Sequence, residues 1–242
     1  MKLVRFTPPE GEEVVSGRLN GEEVLADGGE SFHIENVELA SPVQPQKVVC
    51  VALNYLSHAE ENSIEPPEEP SFFFKPPSAI IGPGDQIELP EAERVDYEGE
   101  IAVVIGRDCR NVSLEEAMDF ILGYTCLNDV TNRDTQAWEQ NWVRAKGFDT
   151  SAPIGPCIAT PEEVSFPIAV KLRHNGKLRQ NSNSADLLFG ISRLIHELST
   201  FMTLKQGDVI STGTPAGVGS LSPGDEVQVT VEGVGTLSNT VR

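Results

Sequence analysis

Three acidic residues have the types and spacing needed to hold a hard metal ion. Glu98 and Glu100 stand two positions apart just before the β-branched run 101–105, and residues two apart on a strand project to the same face. Asp129, which closes the apolar stretch 121–127, is the best candidate for a third ligand. Three adjacent carboxylates repel one another strongly without a divalent cation. The pattern therefore favours an all-oxygen site for Mg²⁺, with Mn²⁺ or Ca²⁺ as other candidates. The alternative is a solvated strand face in a Glu-rich chain.

A histidine and a glutamate could supply acid–base chemistry. His58 stands where a predicted strand gives way to a polar segment, and such junctions often carry function. If residues 55–61 form one helical turn, Glu61 lies three positions beyond His58. It could then orient the imidazole and stabilise its protonated form, as a general base requires. The alternative is an ordinary surface pair of a histidine and a glutamate.

Two further features could bind an anionic substrate. Lys146 lies in the Gly-containing segment 144–150, and a cation near a metal could stabilise an enolate or bind a carboxylate. The segment 211–219 is a Gly/Thr loop whose hydroxyls and backbone N–H groups could donate to an anion, although no lysine follows it as in a Walker A motif. The alternatives are a surface lysine paired with Asp149 and a plain tight turn.

The elements that must position these residues are mostly short strands. Hydrophobic runs separated by Gly and Pro turns predict them, and Asn175-Gly176 between two such runs predicts a hairpin. The clearest predicted strands are 47–53, 100–105, 169–173 and 226–231.

Helices and domains can also be assigned. A capping box at Ser113 predicts a helix to about Leu122, and an apolar stripe predicts a second helix over about 185–199. The segment 60–70 is too rich in Glu and Pro for regular structure and is interpreted as a mobile flap. Residues 1–45 are predicted to form a small β-rich N-terminal domain, followed by the main domain over 46–242.

The composition excludes several classes of function. The chain has 242 residues and a formal net charge of -19, so it would repel nucleic-acid phosphates and anionic lipids. We therefore expect no nucleic-acid or membrane partner. The start lacks a signal-peptide core and no segment is long and apolar enough to span a bilayer, which indicates a cytoplasmic protein. The four cysteines form no C-x-x-C pair, so they are read as buried thiols. The dispersed acidic charge suggests a halophilic source.

Taken in order, the motifs resemble the fumarylacetoacetate hydrolase family over residues 47–242. Six collinear segments carry the resemblance, and six together are far more specific than one. They are N-Y-x-x-H-A-x-E at 54–61, F-x-K-P at 73–76, D-Y-E-x-E-x-A-V-V-I-G at 96–106, N-D-x-T-x-R-D-x-Q at 128–136, K-G-F-D-T at 146–150 and T-G-T-P-x-G-V-G at 212–219.

The resemblance implies a fold and a set of roles. The fold is α+β, a mixed β-sheet roll with few helices and a small β-rich N-terminal domain, in a homodimer. Glu98, Glu100 and Asp129 would bind Mg²⁺, and His58 with Glu61 would be an acid/base dyad on a lid that orders when substrate arrives. The remaining implied residues act on or contact the substrate: Lys146 as a catalytic residue, and Gln136, Thr214, Arg133 and Tyr55 as substrate-binding residues.

The implied chemistry passes through an enolate of a 2-oxo acid. The main prediction is an Mg²⁺-dependent hydrolase that cleaves the carbon–carbon bond of an acylpyruvate. If water is kept out, the same site would isomerise a substrate such as 2-hydroxyhepta-2,4-diene-1,7-dioate, which is a step of aromatic degradation. Decarboxylation of an oxaloacetate-type acid is a third possible reaction. The non-enzymatic alternative is a metal-stabilised binding scaffold.

Overall fold

The structure is a computed structural model that describes residues 1–242. It is built mainly of β-strands, with four short α-helices. The helices are α1 (Leu56–Glu61), α2 (Arg133–Gln136), α3 (Val143–Lys146) and α4 (Ile191–Phe201). The strands are β1 (Lys2–Thr7), β2 (Val15–Asn20), β3 (Glu23–Ala26), β4 (Ser31–His33), β5 (Glu38–Ala40), β6 (Val48–Ala52), β7 (Ser71–Lys75), β8 (Ile80–Ile81), β9 (Gln86–Ile87), β10 (Val95–Tyr97), β11 (Gly99–Ile105), β12 (Ile121–Asn128), β13 (Thr131–Asn132), β14 (Ala152–Ala159), β15 (Ala169–His174), β16 (Lys177–Asn183), β17 (Val209–Ser211), β18 (Gly219–Ser220), β19 (Glu226–Val231) and β20 (Gly235–Val241).

Three sheets organise these strands. The largest runs in the order β4-β3-β2-β1-β14-β12-β11-β17-β6-β7, with β5 paired to β1 and β8 paired to β14. A five-stranded sheet has the order β16-β15-β19-β20-β9, and β13-β10-β18 form a small third sheet. Most pairs are antiparallel, but three are parallel: β17 with β6, β14 with β8, and β20 with β9. The predicted mixed α+β architecture with few helices is confirmed.

Strand β11 lies inside the largest sheet and is buried along its whole length. Its two faces pack in different clusters, because side chains alternate along a strand. Ile101, Val103 and Ile105 join the main core, which also contains residues of the five-stranded sheet. Ala102 and Val104 face the second cluster, built partly by β6 and β7. The alternation places Glu100 on the face of this second cluster.

The predicted strands and hairpin are confirmed, whereas the helix predictions need correction. The Glu116 backbone N–H donates to the Ser113 hydroxyl at 3.3 Å, as a capping box requires, but only one 3₁₀ turn follows, at Ala117–Phe120. The chain then enters β12, because Ile121 pairs with Ile105 of β11. The second predicted helix is also shorter. A 3₁₀ turn at Ser184–Asp186 precedes it, and α4 begins only after Gly190.

The flanking segments complete the fold. Of the segment 60–70 predicted to lack regular structure, residues 62–70 form no helix or strand, whereas Glu60 and Glu61 belong to α1. The strands of the predicted N-terminal domain extend the largest sheet through hydrogen-bonded pairing of β1 with β14. The domain boundary at residue 45 stays a prediction. None of the helices has the length and apolar character that crossing a bilayer requires.

Candidate active site

A cavity of about 360 Å³ opens on the face of the largest sheet to which Glu100 points. It gathers eight of the ten residues predicted as the site. These are His58, Glu98, Glu100, Asp129, Arg133, Gln136, Lys146 and Thr214. The most distant of these residues in the sequence are His58 and Thr214, which are 156 positions apart. The folded sheet brings them to one cavity.

The three acids are adjacent and buried. Glu98 immediately precedes β11, Glu100 lies within it, and Asp129 immediately follows the paired strand β12. The backbone N–H of Asp129 donates to the carbonyl of Glu98 at 2.8 Å, which fixes the two segments side by side. One ligand oxygen from each acid lies within 4.8 Å of the others, and no acid is more than 4% exposed. The alternative of a solvated strand face is therefore wrong.

The surroundings of Glu100 leave one of its oxygens available. Oε2 accepts from the Ser211 hydroxyl at 2.5 Å and from the Gly213 backbone N–H at 2.8 Å. Gly213 has φ of +94°, and a Cβ there would lie 2.8 Å from that of Asn54, so this close donor position requires glycine. Burial and the charges of Asp129 and Glu98 raise the pKa of Glu100 to about 8.

Two lysines neutralise the other acids. Lys146 on α3 donates from Nζ to Oε2 of Glu98 at 2.8 Å and to Oδ2 of Asp129 at 2.6 Å. Lys75 on β7 is completely buried, and its Nζ lies 2.8 Å from Oδ1 of Asp129. Although burial opposes ionisation, Lys146 and Arg133 lower the pKa of Glu98. The cavity floor is therefore a compact group of buried opposite charges.

This donor set fits a hard divalent cation. All the candidate ligand atoms are carboxylate oxygens, the type that Mg²⁺ and Mn²⁺ prefer. The raised pKa of Glu100 reflects first its burial and then the negative charges of Asp129 and Glu98, and a divalent ion would offset both effects. Glu98, Glu100 and Asp129 are the residues that could hold such an ion.

His58 and Glu61 form the pair that the helical spacing predicts. Both lie on α1, and Nδ1 of His58 is 3.4 Å from Oε2 of Glu61. The Glu61 carboxylate also accepts from the Gly217 backbone N–H at 3.0 Å, which fastens α1 to the Gly/Thr loop. His58 lines the cavity, whereas Glu61 is not among the lining residues. The geometry allows Glu61 to orient the imidazole, and the amide of Asn62 lies 3.3 Å from the same nitrogen.

Three of the predicted substrate contacts line the cavity and are held by hydrogen bonds. Arg133 donates to Asp96 at 2.7 Å, to Gln136 at 2.7 Å and also to Glu98. Thr214 is buried, and its hydroxyl donates to the carbonyl of Gly99 at 3.0 Å. These side chains are therefore fixed in place before any substrate arrives.

The structure places Tyr55 differently from the prediction. Its side chain is completely buried and does not line the cavity. Tyr55 precedes α1 and forms a β-bridge with Leu187, which directs the residue into the core. The structure therefore does not support it as a substrate contact.

Sequence reasoning missed several residues around the cavity. Lys75 was noted only as part of the F-x-K-P segment, although a lysine ending an apolar strand is itself a signal of a buried charge. Asp96 is fully buried and binds Arg94 through two hydrogen bonds of 2.9 Å as well as Arg133. Nothing in the sequence pattern singled out Arg94 or Asn62.

Comparison with known proteins decides the family. The family model described as fumarylacetoacetate (FAA) hydrolase C-terminal matches residues 47–242. The chain belongs to the fumarylacetoacetate hydrolase family. The resemblance drawn from the six motifs is thereby confirmed, and the chain is an enzyme of this family. The scaffold alternative is set aside.

Relatives within the fumarylacetoacetate hydrolase family have several activities. The structure is similar to 5-carboxymethyl-2-hydroxymuconate delta-isomerase from Mycobacterium smegmatis, with 44% identity, a TM-score of 0.91 and coverage of 100% of this chain and 98% of the other. It is also similar to maleylpyruvate hydrolase from Sphingobium sp. SYK-6 in complex with manganese(II) and pyruvate, with 30% identity, a TM-score of 0.85 and coverage of 100% and 98%. Oxaloacetate tautomerase of Bacillus subtilis is 39% identical, over 88% of this chain and 76% of the relative.

Proposed function

We propose that this enzyme is an Mg²⁺-dependent hydrolase that cleaves the carbon–carbon bond of acylpyruvates. The observation that carries the proposal is the buried triad of acids, which shares one cavity with His58 and Lys146. A similar hydrolase was crystallised with manganese(II) and pyruvate, the product expected from an acylpyruvate. Mn²⁺ is therefore the natural substitute ion for experiments.

The metal would be held by Glu98, Glu100 and Asp129. When bound, it would supply Lewis acidity that polarises the 2-oxo group and favours the enolate. Glu100 is suited to this role because Ser211 and Gly213 already hold its Oε2, which leaves Oε1 free. Lys146 would be freed from part of its contact with Asp129 and could turn its ammonium to the substrate.

The chemical step needs a base at the mouth of the cavity. In the proposal, His58 removes a proton from water, while Glu61 holds the imidazole and stabilises its charge. The water oxygen forms a bond to the distal carbonyl carbon, and the π pair of that carbonyl moves onto its oxygen. The carbonyl then re-forms while the bond from its carbon to the pyruvate methylene breaks, and the electron pair of the broken bond passes into the pyruvate enolate. Protonation of the enolate carbon by the imidazolium completes pyruvate, and the second product is a carboxylic acid.

The remaining polar residues would bind the pyruvate half. Lys146 would stabilise the negative charge that develops on the enolate oxygen. Gln136 and Arg133 are linked at 2.7 Å and lie in the same cavity, where their donors could orient the substrate carboxylate. Thr214 would border the substrate from the opposite loop, and its hydroxyl could donate to the substrate by exchanging its bond to the Gly99 carbonyl. Arg133 and Gln136 are already ordered by each other, so they would need little reorganisation on binding.

A second candidate is isomerisation of a 2-hydroxy-dienoate through the same enolate. The specific observation that favours it is the 44% identity to a protein named as an isomerase. The two reactions differ in whether water reaches His58 when substrate is bound, since proton transfer alone gives isomerisation. Keto–enol tautomerisation of an oxaloacetate-type acid, the activity named for the Bacillus relative, needs the same acid–base pair.

A panel of substrates followed by ultraviolet absorbance tests the proposal. The panel contains acylpyruvates, 2-hydroxy-dienoates and oxaloacetate, each with Mg²⁺, with Mn²⁺ and with EDTA. We expect metal-dependent loss of acylpyruvate absorbance together with stoichiometric pyruvate. Turnover of the dienoates without acylpyruvate cleavage would reject the hydrolase and favour the isomerase. Full activity in EDTA would refute the metal assignment.

The assembly is also a proposal. We propose a homodimer, with the outer edge of the largest sheet as one surface that a partner could cover. Strand β7 ends that sheet, and its Phe74 is 50% exposed. Exposed edge strands are commonly covered in native proteins. Light scattering of the purified protein distinguishes a dimer from a monomer.

A further inference from the structure

Seven hydrophobic residues are among those that line the cavity. We call five of them the apolar wall; they are Leu53, Ile64, Phe73, Trp142 and Val218. The rings of Phe73 and Trp142 meet edge to face, with centroids 5.6 Å apart. Phe73 lies on β7 and Leu53 directly follows β6. Glu98 and Glu100 lie at β11, and β17 separates β11 from β6 and β7 in the sheet. The apolar wall meets the polar part of the cavity at Phe73, because the ammonium of Lys146 lies 4.9 Å from the centre of that ring.

Two residues of the apolar wall have an unfavourable backbone conformation. Leu53 has φ of +52° and Trp142 has φ of +55°, in the left-handed region that bulky side chains rarely adopt. Such strain persists where the surrounding structure imposes it, and it concentrates at binding and catalytic sites. The fold therefore tolerates strain at two positions that present large apolar side chains to one cavity.

The cationic side chains of the cavity are already paired with carboxylates. Arg94 binds Asp96 through two hydrogen bonds of 2.9 Å, and Arg133 binds Asp96 at 2.7 Å. Lys146 binds Glu98 and Asp129. The proposed reaction uses Arg133 and Lys146 at the pyruvate end, and Asp96 holds Arg94. These three are the lysines and arginines among the lining residues, so none is left to bind a second carboxylate beside the apolar wall.

We infer that the apolar wall binds the distal group of the substrate and selects an uncharged, apolar chain over one that ends in a carboxylate. The inference rests on the proposed function, because it assumes that the 2-oxo acid end lies at the acids. It narrows the substrate class to acylpyruvates with an alkyl or aryl acyl group. A terminal carboxylate against Phe73 and Trp142 would lose hydration without gaining an ion pair.

Binding of 2-oxo acids that cannot be cleaved tests this directly. Isothermal titration of the Mg²⁺-loaded enzyme would compare 2-oxobutanoate, 2-oxopentanoate, 2-oxohexanoate and 2-oxooctanoate, with 2-oxooctanedioate as the matched diacid. These acids lack the second carbonyl, so binding is measured without hydrolysis. We expect affinity to rise about fourfold for each buried methylene until the wall is filled. The diacid should bind at least tenfold more weakly than 2-oxooctanoate. A flat series, or a diacid that binds as tightly, would overturn the inference.

Variants show whether the dependence of affinity on chain length comes from the apolar wall. Trp142→Ala should flatten the dependence on chain length, whereas Trp138→Ala should preserve it. Trp138 is the other tryptophan of the chain, is 65% exposed and lies outside the cavity lining. Because Trp142→Ala could impair folding, Ile64→Lys provides an independent test at a side chain that is 52% exposed. Ile64→Lys should improve binding of 2-oxooctanedioate relative to 2-oxooctanoate, and an unchanged ratio would count against the inference.

Failure of the inference and failure of the proposed function give different results. A rising affinity series with no turnover of any acylpyruvate would keep the apolar wall and reject the hydrolase reaction. Turnover of acylpyruvates with preference for those that end in a carboxylate would keep the reaction and reject the apolar wall.

Discussion

The ammonium of Lys146 lies 2.6 Å from Oδ2 of Asp129, among the three acids. The lysine therefore serves as a cation for carboxylates that would otherwise repel one another. A divalent ion held by the same oxygens must share or replace this contact. Metal binding and the contacts of Lys146 therefore depend on each other. In the proposed reaction, the ammonium that the metal displaces binds the substrate.

Replacing Lys146 with methionine should separate metal binding from turnover. Loss of the ammonium removes a like charge near the bound ion, so we expect Mn²⁺ affinity to increase about tenfold, a modest part of what Coulomb's law allows at this distance. Turnover should fall at least about a hundredfold, because the enolate loses its cation. Calorimetric titration with Mn²⁺ and the absorbance assay measure the two effects. Weaker metal binding in Lys146→Met would contradict the linkage.

Metal binding should depend on pH through Glu100. Burial and the charges of Asp129 and Glu98 raise the pKa of this carboxyl group to about 8, so below that pH the metal-free enzyme holds a proton there. Metal binding requires the ionised form and releases the proton. Affinity should therefore rise as pH increases from 6 to about 8, by roughly tenfold per unit, and then level off. Titrations in buffers of different ionisation enthalpy would detect the released proton. An affinity that does not change over this range would show that Glu100 is not a titrating ligand.

Removing the imidazole should slow the chemistry and spare the fold. For His58→Ala we expect a loss of about 10² to 10⁴ in kcat, the usual contribution of a general base. Mn²⁺ affinity should stay near that of the parent, since His58 is not among the three candidate ligands. His33→Ala is the matched control, because His33 lies on β4, outside the cavity lining. Wild-type turnover by His58→Ala would show that His58 and Glu61 are not the acid/base pair.

The buried Lys75 should be required for stability. Its ammonium donates to the backbone carbonyls of Val130, Lys146 and Ser151 at 3.1, 2.5 and 2.8 Å and lies 2.8 Å from Asp129. Lys75→Met would leave these acceptors without a partner, at a cost of about 3–5 kcal/mol. Urea denaturation measures the loss. Lys177→Met, at an exposed hairpin position, should stay within about 0.5 kcal/mol of the parent. Equal stability of the two variants would show that Lys75 is not a structural cation.

The parts of the site that the sequence could predict follow from local geometry. Glu98 and Glu100 share a face because alternation along an extended chain fixes it. Glu61 lies near His58 because three residues make nearly one helical turn. Asp129 could be proposed because an apolar run ends there, and β12 does end at Asn128. In each case the spacing within one segment determined the outcome.

The parts that could not be predicted depend on contacts between distant segments. Lys75 and Asp129 are 54 positions apart, and no periodicity connects them. The motif around Tyr55 predicted that this residue contacts substrate. Its backbone pairs with Leu187 instead, and its side chain points into the core. The helix predicted to Leu122 gives way to β12 because pairing with β11 outweighs the local helical pattern.

Glu98, Glu100 and Asp129 are proposed to hold one divalent ion together. An anomalous difference map from crystals soaked in Mn²⁺ measures this directly. We expect a single strong peak at coordination distance from one oxygen of each acid, with the ion bordering the cavity that contains His58. The same soak with Asp129→Ala crystals should show no peak. A peak elsewhere, or none in the parent enzyme at saturating Mn²⁺, would rule out this metal site.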